Sequence, residues 1–105
     1  MASKVMPKGK RLTAQQIMDN YKPGDLVNNE TPEQFWATKL RVAKNSKVSE
    51  GETLYEDLAK RGQRIPISLN HDEKEIVDGH HRLASMHHIN PNQFVNYQSV
   101  TRLGN

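Results

Sequence analysis

Apolar positions recur every three or four residues over the first part of the chain and every second residue over part of the remainder, so helices come first and strands later. In "TAQQIMDNY" (13–21), Thr13 and Gln16 have the spacing of a capping box, and Ile17 and Tyr21 give a short helix one apolar edge. Pro23 and Gly24 then predict a turn. "TPEQFWATKLRVAKNS" (31–46) has Thr31 as cap, Pro32 at the first helical position and Glu33 against the positive end of the helix dipole. Its predicted buried stripe is Trp36, Leu40 and Ala43, flanked by Phe35 and Val42. "SEGETLYEDLAKRG" (49–62) predicts the next helix, with Leu54, Tyr55, Leu58 and Ala59 inward and Gly62 ending it. Glu56–Lys60 and Asp57–Arg61 are acid-before-base pairs at i,i+4, each worth about 0.2–0.5 kcal/mol.

The period then changes to two. "IPISL" (65–69) places Ile65, Ile67 and Leu69 on one side of a strand. "NHDEK" turns, "EIVD" (75–78) is a second strand, residues 80–89 form a helix, and "FVNYQSV" (94–100) is a last strand after the turn "NPNQ". Helices followed by β–β–α–β predict an α+β fold, a small mixed sheet packed with helices.

That order puts Asp78-Gly79-His80-His81-Arg82 at a strand-to-helix junction, which is more chemistry than a plain turn needs. Glycine lets a backbone approach an anion closely, and first-turn N–H groups have no helical acceptor. Arg82 adds a planar fork for two phosphate oxygens. Asp78 would repel a phosphate unless it binds Mg²⁺ carried by that phosphate, accepts a hydroxyl proton, or holds Arg82; equally, it could simply cap the helix. Structural zinc is not expected. His80–His87 and His81–His88 are i,i+7 pairs about 10 Å apart along a helix, too far for one ion with bonds of about 2 Å.

Composition narrows the classes further. With 105 residues, one domain is expected, and with no cysteine there is no disulfide, thiolate metal site or cysteine nucleophile. No apolar run approaches the roughly 20 residues of a membrane span, and "MASKVMPKGKRL" lacks the apolar core of a secretory leader, so the expectation is a cytoplasmic protein without a membrane partner. The net charge of +3 is uneven: residues 1–47 carry nine Lys or Arg against four acids, and residues 48–105 carry six against eight. Residues 1–11 read as a basic, disordered arm ahead of a single domain over 12–105. Lys8, Lys10, Arg11, Lys39, Arg41 and Lys44 are the candidate face for nucleic acid or an acidic protein, unless they are only a solvated surface.

"IPISLNHDEKEIVDGHHRLASMHHI", preceded by "LYEDLAKRGQ", resembles the ParB/sulfiredoxin superfamily over about residues 52–100, most specifically at Asp78 to Ala84. The resemblance implies a compact domain in which Gly79, His80, His81 and Arg82 hold nucleotide phosphates (CTP, ATP or ADP); Mg²⁺ through Asp78 is the residue-level expectation given above. It also implies that Asp78, His80 and His81 are the candidate acid/base groups for phosphotransfer or NTP hydrolysis. Sulfiredoxin chemistry is excluded because it needs a cysteine where His80 or His81 stands. A partitioning protein carries a helix-turn-helix domain after this module; with Asn105 only five residues past the last expected strand, a complete partitioning clamp is not expected. The layout suits a small phage or plasmid protein. Three functions follow as expectations: a nucleotide-binding or phosphotransfer domain, a DNA-binding or ParB-like nuclease protein, or an interaction module that inhibits an acidic host or phage protein.

Overall fold

The structure, a computed structural model, describes residues 11–27 and 29–101. Three threonines start three of its helices in the same way. Thr13 caps α1 (Ala14–Asn20), Thr31 caps α2 (Pro32–Asn45) and Thr53 caps α3 (Leu54–Arg61). In each, the hydroxyl accepts the backbone N–H three residues on, while the Gln16, Gln34 or Glu56 side chain accepts the threonine's own N–H. Each reciprocal cap satisfies two donors that a helix start otherwise leaves without partners.

The third cap corrects the start expected near Ser49. Residues 47–53 instead form a small antiparallel hairpin, β2 (Lys47–Ser49) and β3 (Glu52–Thr53), turning at Gly51 with φ +82°. Glu56 is engaged at the cap, so the expected Glu56–Lys60 pair is replaced: Lys60 Nζ bonds Glu52 at 2.6 Å. The Asp57–Arg61 pair forms at 2.7 Å, and Arg64 joins Asp57 at 2.6 Å. Asp57 is buried and Ala59 exposed, the reverse of the expected apolar face, because two arginines neutralise the carboxylate.

The main sheet is mixed, in the order β1–β5–β4–β6. β4 (Ile67–Asn70) and β5 (Glu75–Asp78) are an antiparallel pair at its centre. β1 (Lys22–Pro23) runs parallel to β5 on one edge, and β6 (Tyr97–Ser99) runs parallel to β4 on the other. The expected turn forms at Gly24–Asp25, and the two-residue strand at Lys22–Pro23 precedes it. Pro23 is tolerated because the ladder uses its neighbours' donors: Lys22 N–H to Lys74 O at 2.8 Å and Gly24 N–H to Ile76 O at 2.9 Å.

Interior position makes all four residues of β4 buried, Ser68 and Asn70 included, where alternation predicted one polar face. Ile65 lies ahead of the ladder and is 58% exposed, so the inward side begins at Ile67. The core gathers Ile17, Leu58, Ile67, Leu69, Ile76, Leu83 and Met86 between helices and sheet. On α2, Phe35 rather than Trp36 is fully buried; Trp36 and Leu40 are half-buried, and Ala43 is buried as expected. Among the described residues this is an α+β fold with four helices, and no helix there is long and apolar enough to cross a membrane.

Candidate functional site

β5 ends at Asp78, Gly79 turns the chain, and α4 (His80–Ile89) begins. Gly79 has φ +96°, a left-handed conformation that favours glycine, and it serves as the N-cap with no side-chain cap bond. Asp78 therefore does not cap the helix; it is exposed at the mouth of the junction. Leu83 N–H bonds back to Gly79 O at 2.9 Å, so the N–H groups ahead of it are those without a helical acceptor.

These residues line a cleft of about 230 Å³: Asp78, Gly79, His80, His81 and Arg82 from the junction, Asp25 from the loop after β1, Lys39 from α2, and Leu54 from α3. The structure thus assembles all five junction residues and adds two charged ones. Lys39, expected on a nucleic-acid face, belongs to this cleft. Asp25 was not a candidate, since only the β1–β5 pairing brings its loop here.

His80 is turned inward and is 4% exposed. Its Nε2 lies 3.0 Å from Ile76 O. A carbonyl can only accept, so Nε2 carries the proton and Nδ1 is the bare nitrogen of the neutral ring. Nδ1 lies 3.5 Å from Asp25 Oδ2, and the ring packs against Phe35 with centroids 5.4 Å apart. Burial pushes its pKa below the usual value; Asp25 opposes this less strongly. His81 is half-buried, and burial lowers its pKa too, with Lys39 and Arg82 adding to the effect. At neutral pH both imidazoles are therefore uncharged proton acceptors, His81 the more accessible of the two.

Arg82 is half-buried. Its Nη2 reaches Pro66 O at 3.5 Å, and its Nε is buried with no acceptor among the described residues. A buried donor without a partner costs about 1–3 kcal/mol, a cost that an anion in the cleft would relieve.

The remaining candidates fall elsewhere. Arg41 and Lys44 are exposed on α2, and at 100° per residue Arg41 points roughly 160° away from Lys39, so the three do not form one stripe. Lys44 Nζ sits 5.0 Å from the Tyr55 ring centre. Arg11 lies over Phe94; Lys8, Lys10 and the rest of the expected basic arm lie outside the described residues. His87 Nε2 donates to Gln15 Oε1 at 2.7 Å, and His88 Nδ1 is 2.8 Å from the Tyr55 hydroxyl. Among the described residues, no three His, Asp or Glu side chains are grouped to hold a metal ion by themselves. A larger hollow of about 430 Å³ between α1, α2 and α4 is mainly apolar and lined by no Lys or Arg, so a phosphate gains nothing there.

No protein-family model, no curated protein and no solved structure matches this chain.

Proposed function

We propose that the junction cleft binds the phosphates of a nucleotide or nucleic acid, as the resemblance to the ParB/sulfiredoxin superfamily implies. One observation carries the reading: Lys39 from α2 and Arg82 from α4 reach the same small cleft at which Gly79 exposes the first turn of α4. Two cations of separate origin meet at a helix N-terminus whose cap, Gly79, has no side chain to stand in front of the first-turn N–H groups. The cleft is smaller than the roughly 300–1,000 Å³ of sites that enclose a drug-sized ligand, so it suits phosphate groups and leaves a base outside.

Asp25 and Asp78 balance the two cations and fit a Mg²⁺ ion that arrives on the phosphate, since Mg²⁺ is commonly held by one or two carboxylates plus substrate oxygens. Such an ion would screen the carboxylates from the phosphate. Proton transfer, if the protein turns its ligand over, falls to Asp78 or His81, because His80 Nδ1 is enclosed beside Asp25.

Thermal unfolding with CTP, ATP or ADP, each with and without Mg²⁺, tests the proposal on the parent and on Arg82→Ala. At a ligand concentration a hundred times Kd, a native-state ligand stabilises by about 2.7 kcal/mol. The expected result is a rise in melting temperature for at least one nucleotide that Arg82→Ala loses. A parent that no phosphate ligand stabilises, or a variant stabilised as much as the parent, would overturn the reading.

A further inference from the structure

Pro66 stands between the junction cleft and a second one. Its carbonyl receives the Arg82 Nη2 contact at 3.5 Å, and the same residue lines a cleft of about 340 Å³ with Arg11, Arg64, Phe94 and Asn96. Phe94 is 52% exposed, and the Arg11 guanidinium lies over its ring, 4.3 Å from the centroid. Its backbone is well held: Phe94 forms a β-bridge with Thr13, and Val95 N–H donates to Leu12 O at 2.9 Å. Arg64 is anchored to Asp57 at 2.6 Å, yet its side chain remains 62% exposed.

We propose that the two clefts form one track for single-stranded nucleic acid, with a phosphate at the junction, a base against Phe94, and the next phosphate near Arg11 and Arg64. The inference rests on the junction being a phosphate site. Size is the first reason: the junction cleft leaves the base outside, and a firmly placed, half-exposed aromatic ring lies beyond Pro66. Charge is the second. A mononucleotide would have all its phosphates at the junction, whereas a second pair of cations, Arg11 and Arg64, matches the next phosphate of a chain. A base entering between the Phe94 ring and the Arg11 guanidinium would stack on both, a contact every base can make. In a duplex the base faces are covered by their neighbours, so a duplex cannot use the ring.

The test is fluorescence anisotropy of labelled hexathymidylate at low salt, beside the nucleotide melting shift. Phe94→Ala should weaken hexathymidylate by roughly tenfold, the usual scale for losing one base–aromatic stack, while leaving the nucleotide shift unchanged. Phe94→Tyr should retain parental binding, and Arg11→Gln, at an exposed position, should weaken it. Arg82→Ala should weaken both ligands. Undiminished binding by Phe94→Ala and Arg11→Gln, no binding of hexathymidylate by the parent, or equal binding of a blunt duplex would each overturn the track. A nucleotide shift that survives such a result keeps the junction reading. If instead Arg82→Ala left both ligands unaffected while Phe94→Ala weakened the oligonucleotide, the junction reading and the joined track would both fall.

Discussion

Ile67 occupies the space that a β-carbon on Gly79 would need: such an atom would lie 2.9 Å from Ile67 Cγ1 and 3.3 Å from its Cα and Cβ. The junction glycine therefore answers to two demands, a positive φ and close packing on the central strand. Gly51 has a similar φ of +82° but nothing within 4 Å. Gly51→Ala should cost about 1 kcal/mol from backbone strain alone, and Gly79→Ala about 2–3 kcal/mol because the clash adds to the strain. Urea denaturation measures both, and equal losses would show that packing on Ile67 contributes nothing.

Acidification should destabilise the protein in two stages. His71, His80, His81 and His87 all have pKa values lowered chiefly by burial from an ordinary 6.5. A group with a lowered folded pKa takes up its proton first in the unfolded chain, so this stability is present above pH 6.5 and is lost as pH falls below it. Glu52, held down to about 2 by Arg61 and Lys60, stabilises above its ordinary 4.5 and loses that contribution as pH falls toward 2. Urea midpoints should decline from pH 7.5 to 5.5 and again below 4.5, and His80→Gln should flatten the first decline. A midpoint constant between pH 7.5 and 5.5 would contradict this account.

Helix starts were legible from local signals: Gln16 three residues after Thr13, and Pro32 and Glu33 directly after Thr31. Thr53 carries the same mark with Glu56, and weighing it against the apolar spacing would have moved the start of α3 from the hairpin to its true place. Other features were not local. β1 spans two residues and exists only through residues 75–76, so no period could show it. Ile65 matched the alternation, but the ladder starts after Pro66, beyond its reach. Asp57 looked like a surface acid until two arginines enclosed it. At the junction the five adjacent residues were readable as a unit, while Asp25 and Lys39 enter through tertiary contacts alone.

Lys39 and Arg41 separate two views of the basic half. Lys39→Met should remove most of the nucleotide-dependent stabilisation, because Lys39 lines the junction cleft. Arg41→Met, exposed on α2 and directed away, should keep it. Arg41→Met should leave the unliganded melting temperature nearly unchanged, as surface changes usually stay within about 0.5 kcal/mol, so each ligand response is read against its own variant's unliganded value. Equal losses of ligand response would favour a diffuse field of charge over a defined pair of cations.

Asp57→Asn probes the arginine network. The Asp57 side chain is 11% exposed, but Arg61 and Arg64 are 47% and 62% exposed and can return to water. The expected cost is about 1 kcal/mol, well below the roughly 3–5 kcal/mol of splitting a pair buried on both sides. A loss above about 3 kcal/mol in urea denaturation would mean the arginines are not solvated when released.

The parallel edges of the sheet also set an order of events during synthesis. α1 and β1 are made well before the residues that hold them: Lys22 N–H waits for Lys74 O, Gln15 N–H for Pro91 O and Ala14 N–H for Gln93 O. The β4–β5 hairpin and α4 need only short-range closure and can form as soon as they emerge. α1 is thus secured only long after it is made, and a nascent chain halted before residue 91 keeps this helix without the strap that holds it to the body.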